Sequence, residues 1–180
     1  MRKFGARGQR VLKIIHLIMV GLWVGGAVGL TLMSAFLGPG TSDGELYGYD
    51  LARKFVDDWV IIPGAMGCLF SGLLISWLTP WGFFKHRWVA VKWVLTVACI
   101  LFGTFVLGPF VNGRAMMSLD FGLRALDKPA YVDSLDRTLL FGGLQVLVIL
   151  FMVAISTLKP WKRRSADNNQ ESLLNYDQSR

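Results

Sequence analysis

Two histidines, His16 and His86, and one lysine inside an apolar stretch, Lys92, are the residues of this chain whose types and positions could do chemistry. A neutral imidazole in a helix bundle is the usual axial ligand of haem iron, and a porphyrin also needs an apolar slot lined by aromatics, with basic groups for its propionates. Trp23 is a candidate for the slot, and Lys13, Arg10 and Arg87 are candidates for the propionates. His86, in the segment KHR, is either a second axial ligand or one more interfacial cation beside Trp81, Trp88 and Trp93. Lys92 either tunes charge and relays a proton inside a bundle or snorkels to a membrane edge. An ammonium group costs about 2.5–3.5 kcal/mol at the bilayer centre and less near the interface. Zinc or copper fits less well, because two histidines without a carboxylate or thiolate on their side leave a closed tetrahedral site short of ligands.

The elements that must position these groups follow from composition. The 180-residue chain is 53% hydrophobic, with 7 Trp and 12 Phe and only 17% charged residues, which is the membrane class. Four apolar stretches, 11–37, 59–79, 88–111 and 139–158, are each about 20 residues or longer, enough to cross a hydrocarbon core of about 30 Å as a helix. Unbroken runs exclude the alternating pattern of a barrel. The expected fold is therefore all-α, an integral membrane four-helix bundle. A basic segment 1–10 precedes the four-span domain, 11–160, and a polar tail, 161–180, follows it. The first stretch is longer than a signal h-region and ends in Gly38-Pro39-Gly40, so it is expected to remain as a span.

Orientation comes from the charges. Arg2, Lys3, Arg7, Arg10 and Lys13 precede the first stretch, Lys85 and Arg87 lie between the second and third, and Lys159, Lys162, Arg163 and Arg164 follow the fourth. The other two connections carry Asp43, Glu45, Asp50, Asp57 and Asp58, then Asp120, Asp127, Asp133 and Asp136. The positive-inside rule puts both termini and the 80–87 turn in the cytoplasm. The formal charge of +7 is read as this topology signal rather than as nucleic-acid binding, since no basic stripe lies on a soluble domain. At about 1.5 Å rise per residue, His16 and Lys92 fall roughly 6–8 Å inside the same leaflet, with His86 just outside it.

Other features are read structurally. Gly21, Gly25 and Gly29 share one helix face and allow close approach of another backbone; the second stretch repeats the spacing in Gly64, Cys68, Gly72 and Ser76, and the two faces are expected to touch or to serve a homo-oligomer or membrane partner. Cys68 and Cys99 are expected to be small buried hydrophobes. Pro63 and Pro109 are placed near the outer ends of their spans. Asp57 and Asp58 are read as the start of the second span, favouring its dipole. Gln145 is read as an interhelical hydrogen-bond donor. The loop 114–137 is expected to hold a short amphipathic helix around Met117 to Leu126 on the membrane surface. No nucleotide, nucleophile-elbow or zinc-protease motif is present.

From about Leu12 to Asn112 the chain resembles a bacterial family of small integral membrane proteins known only as a domain of unknown function, through KIIHLIMVGLWVGGA, LYGYDLARKFVDDWVIIPGA, WGFFKHRWVAVKW and LFGTFVLGPFVN. More remotely, a histidine ahead of a Trp-small-Gly step in the first helix, with a lysine in the third, resembles the HemJ-type protoporphyrinogen oxidases and the membrane domain of copper resistance protein D. That resemblance implies His16 as haem ligand, Trp23 in the helix-one motif and Lys92 as the second polar requirement. The chain departs from the HemJ pattern after Gly26, where AVGLTLMSAFLG replaces an end bearing arginine and histidine. The resemblance therefore implies haem more than porphyrinogen oxidation.

The resulting expectation is a small membrane redox protein holding one b-type haem toward the cytoplasmic leaflet, ligated by His16 with His86 as second ligand and with Lys13, Arg87, Lys92 and Trp23 around it. The alternatives are a non-enzymatic scaffold or partner subunit associating through Gly21, Gly25 and Gly29 within the lipid bilayer, and a small-solute or ion transporter.

Overall fold

Prolines inside two of the apolar stretches shape the architecture. The computed structural model describes residues 5–78 and 87–158. Its six α-helices are α1 (Ala6–Phe36), α2 (Asp43–Val56), α3 (Ile62–Leu78), α4 (Arg87–Phe102), α5 (Gly108–Phe121) and α6 (Pro129–Leu158). They make four rods, because α2 runs into α3 through a π turn, Asp57–Ile61, and α4 runs into α5 through another, Gly103–Leu107. Each π turn lies just ahead of a proline, Pro63 or Pro109. Proline has no N–H to give the carbonyl four residues back, and its ring crowds that carbonyl. For both prolines that carbonyl belongs to the π turn, whose widening accommodates the defect without ending the rod. The two prolines are thus interior residues of continuous rods, not end residues.

Each rod is long and apolar enough to cross a membrane: Arg7–Phe36, Asp43–Leu78, Val89–Asp127 and Pro129–Leu158. The second rod has 36 residues, about 54 Å at 1.5 Å per residue, well beyond a 30 Å hydrocarbon slab. Its start is specified locally. Ser42 Oγ accepts from Glu45 N at 3.2 Å, Asp43 and Glu45 occupy the first turn, and Arg53 and Lys54 the last turn of α2. Asp57 and Asp58 therefore lie deep within a rod rather than at a helix start, and the dipole role expected of them does not apply. The segment around Met117 to Leu126 is no separate surface helix either. It is the end of α5 plus a 3-10 turn, Gly122–Asp127, with Leu46, Ala125 and Tyr131 forming a small core against it. Gly122, at φ 54°, ends α5, and the next N–H, of Leu123, donates to Asp43 Oδ1 at 2.7 Å.

The rods pack antiparallel to their chain neighbours. The ends holding the start of α1 and the end of α6 are called the terminal end below, and the opposite ends the far end. The main core is built from Trp23, Ala27, Ala65, Cys68, Cys99, Ile149 and Met152. Both cysteines are free and buried in it. Close packing of α1 on α3 uses the expected small residues of α3 but a different face of α1. A methyl on Gly64 would meet Trp23 N at 2.7 Å, and one on Gly72 would lie 3.5 Å from His16 Cε1, while Gly67 abuts Met19. Gly21, Gly25 and Gly29 have no such neighbour within 4 Å; Gly26, one position along, faces Val60 and Ile61 instead. The two glycine faces do not meet.

Gly64→Ala is accordingly expected to lower the thermal midpoint of the detergent-solubilised protein, by the equivalent of about 1–3 kcal/mol of overpacking, because the obstructing atoms are backbone. Gly25→Ala should leave the midpoint near wild type. Equal midpoints for the two variants would overturn this packing assignment.

Candidate functional site

His16 lies three turns into α1, and the α1–α3 contact brings Ser71 to it. Ser71 Oγ is 2.8 Å from His16 Nδ1, and its own proton goes to Gly67 O at 2.5 Å, with Cys68 O at 3.3 Å. A serine hydroxyl has one proton, so with that proton on the α3 backbone the oxygen accepts from His16 Nδ1–H. The imidazole is thereby held as the tautomer whose Nε2 carries a free lone pair. Ser71 is 4% exposed, so this bond is shielded from water.

A cavity of about 360 Å³ opens beside this imidazole in the terminal half of the bundle. Its polar wall includes His16, Lys13 and Lys92, and Trp23 and Trp93 contribute aromatic surface. Ser76 accepts from Trp93 Nε1 at 3.3 Å, and Thr96 Oγ1 donates to Met152 Sδ at 3.6 Å, so the polar groups of this wall are partly engaged. Of the residues expected at the site, His16, Lys13, Trp23 and Lys92 all border one space. His86 and the side chain of Arg87 lie outside the described residues. Lys92 borders the cavity rather than pointing only outward, and among the described residues no carboxylate pairs with it. No three His, Cys, Asp or Glu side chains come together as a metal-binding group among the described residues.

Trp23, 2% exposed, also borders a second cavity, of about 230 Å³, toward the far end. Both π turns contribute to its wall, with Asp57 and Ile61 from the first and Gly103, Thr104 and Leu107 from the second. Gln145 also borders it, with its Oε1 buried and without a hydrogen-bond partner. The donor role expected of Gln145 is not seen among the described residues, where no hydrogen bond from its Nε2 is found.

Beyond this cavity the far end holds a buried charge cluster. Arg53 Nη1 donates to Asp50 Oδ1 at 3.0 Å, and Tyr131 Oη donates to Asp50 Oδ2 at 2.8 Å. Arg53 Nη2 also donates to Met33 O and Leu37 O, at 2.9 and 3.0 Å, locking the end of α1 to α2. Arg114, fully buried, sits within electrostatic reach of Asp50 and Tyr131, and its guanidinium nitrogens have no hydrogen-bond partner among the described residues. One carboxylate thus faces two guanidinium groups.

Sequence reasoning placed this cluster in loops and missed it. The available signal was a capping box, Ser42 to Glu45, opening a helix whose Asp50 and Arg53 stand three residues apart. Ser71 was missed because the four-residue spacing of small residues in α3 steps over it.

The fold and site define a helical bundle of membrane-spanning length and composition with two cavities that share only Trp23 in their walls. Compared with known proteins, the chain matches no family model, no curated protein and no solved structure.

Removing the cluster's only carboxylate, in Asp50→Ala, leaves two buried guanidinium groups uncompensated and is expected to destabilise the protein by about 3–5 kcal/mol. Tyr131→Phe, which removes one hydrogen bond to that carboxylate, should cost about 1.5–3 kcal/mol. Thermal unfolding in detergent checks both, and a neutral Asp50→Ala would show that the cluster does not hold the far end together.

Proposed function

We propose that this chain is a small multi-pass membrane redox protein in which His16 ligates one b-type haem in the terminal-half cavity. The observation that carries this reading is the 2.8 Å contact of His16 Nδ1 with a Ser71 oxygen whose proton has an acceptor in Gly67 O, an arrangement that leaves Nε2 free beside an aromatic-lined cavity bordered by two ammonium groups. Metal-bound histidines almost always donate their other ring N–H in this way, which fixes the ring and raises the basicity of the ligating nitrogen. The donor set fits: an imidazole of the right tautomer, aromatic walls, and Lys13 and Lys92 to offset propionate charge. A haem held there supplies one-electron transfer. Ser71 orients the ligand, Trp23 closes the inner end of the cavity, and Lys92 tunes charge or carries a proton at its rim.

Membrane embedding with both termini in the cytoplasm belongs to the same proposal. It is supported by the four apolar rods, by large exposed apolar side chains on each of them, such as Leu17, Phe70, Phe105 and Leu147, and by Arg7, Arg10 and Lys13 near the start of α1. The remote resemblance to HemJ-type oxidases supports haem, and the bacterial family resemblance supports an inner-membrane location.

Protein expressed with adequate haem and purified in mild detergent is expected to show a Soret band. His16→Ala should abolish that band, while Ser71→Ala should weaken haem retention on the order of ten- to a hundred-fold. Wild-type protein without a Soret band, or an unchanged band in His16→Ala, would refute the ligand assignment. The same spectrum of His86→Ala reads whether a second imidazole takes part.

A second reading, a membrane scaffold or partner subunit, is favoured by the glycine face of α1. Gly21, Gly25 and Gly29 have open space where a side chain would stand, and that geometry suits lateral association with another helix. In this reading Gly25→Ile abolishes association in detergent or lipid and leaves the Soret band untouched.

A further inference from the structure

We infer that the far-half cavity is a binding site for a small monovalent cation, an alkali-metal or ammonium-type ion. The inference rests on which atoms the wall offers. Among the described residues, Asp57 is the only charged one that borders the cavity. Its neighbour Asp58 is neutralised by Lys54, whose Nζ lies 2.5 Å from Asp58 Oδ2 and 2.5 Å from Asn112 Oδ1. Asp57 has no hydrogen-bond donor of its own among the described residues, so one formal negative charge faces the cavity.

Two hydroxyls of the wall, those of Thr31 and Thr138, are committed acceptors, while Thr104 brings a hydroxyl with no hydrogen-bond partner among the described residues. Thr31 Oγ1 gives its single proton to Ala27 O at 2.8 Å, and Thr138 Oγ1 gives its proton to Ser134 O at 2.7 Å. Each hydroxyl then has only lone pairs left for the cavity. One N–H of Asn112 Nδ2 goes to Gly108 O at 3.0 Å, and its oxygen accepts from Lys54. Gln145, 8% exposed, brings a buried Oε1 with no partner. A buried acceptor left unmade costs about 1–3 kcal/mol, which an occupant able to satisfy it would recover.

Two glycines keep these oxygens uncovered. A methyl on Gly142 would lie 3.5 Å from Thr31 Oγ1, and one on Gly103 would lie 3.3 Å from Gln145 Nε2 and 3.8 Å from Oε1. The two π turns complete the wall, and such turns recur at functional sites because they displace side chains and carbonyls from the regular helical register. One carboxylate, two hydroxyl lone-pair donors and an amide oxygen bordering a 230 Å³ space are an oxygen set that suits a hard monovalent cation or a set of N–H donors. An anion would meet the Asp57 carboxylate, with only the amide N–H groups of Gln145 and Asn112 and the Thr104 hydroxyl to receive it, so the wall favours a cation. The site is separate from the His16 cavity, with Trp23 alone bordering both.

The test is thermal unfolding of the full chain in mild detergent at constant ionic strength, titrating sodium chloride, ammonium chloride or methylammonium chloride against choline chloride. A saturable rise in midpoint of about 3 °C or more at tenfold excess over Kd is expected with at least one ion. A response to sodium alone identifies an alkali-metal site, and a response to the ammonium ions alone identifies N–H recognition. Asp57→Asn and Gln145→Leu should each reduce the apparent affinity at least tenfold, and Gly142→Ala, which sets a methyl in contact with Thr31 Oγ1 without altering charge, should do so more mildly. Asp120→Asn, at an exposed position, should respond like wild type. If Asp57→Asn does not fold, Gln145→Leu and Thr31→Val carry the test. No ion-specific shift, or a shift preserved in Gln145→Leu and Thr31→Val, would overturn the proposal. The Soret band is a separate readout, so failure here is distinct from failure of the haem reading.

Discussion

The close contact between the first helix and the helix that follows Pro63 is the constraint on which the rest of the structure depends. Without a side chain on Gly64, its backbone can lie against the backbone of Trp23. Antiparallel geometry then propagates the match toward the terminal end, where Gly67 meets Met19 and Ser71 meets His16. The same contact seats the Trp23 indole in the main core, at the boundary between the two cavities. One glycine position thus sets both the tautomer of the imidazole and the partition of the bundle interior.

The partition separates two kinds of chemistry. Toward the terminal end the cavity carries an imidazole and two ammonium groups among aromatic and aliphatic walls, an environment suited to an anionic or metal-bearing apolar ligand. Toward the far end the cavity carries a carboxylate and oxygen acceptors whose hydroxyl protons are already committed to helix carbonyls. Opposite polarity on the two sides of one tryptophan is consistent with one bundle serving electron transfer in one half and ion binding in the other, as proposed.

The rods outrun any bilayer core, and the protein uses the surplus. Prolines that would normally end a helix are absorbed by widened turns, so α2 and α5 continue past the apolar stretches and carry polar residues between them. Burial of Asp50, Arg53, Arg114 and Tyr131 there is tolerable only because hydrogen bonds engage both oxygens of the carboxylate and tie Arg53 to the end of α1. This polar knot, rather than loops, joins the rods at the far end.

Four long apolar runs, the absence of strand periodicity and the side of the bundle on which Lys13, His16 and Lys92 stand were all legible in the residue order, because helix length and rise are properties of a single chain segment. So was the burial of Cys68 and Cys99. The partner of His16 was not legible, since the choice of Ser71 over the neighbouring small residues depends on the angle at which two helices meet. Nor was the true role of Pro63 and Pro109, because a proline ends a helix or widens a turn according to whether neighbouring rods hold the chain on course. Asp57 and Gln145 looked like a helix-start charge and a cross-helix donor. Only packing, which set both π turns around one cavity beside two hydroxyls already spent on their own helices, decided that these two residues border the same space. Segment-level hydrophobicity determines which residues can be helical and buried; which buried polar atoms find each other depends on helix rotation, a quantity defined only between elements.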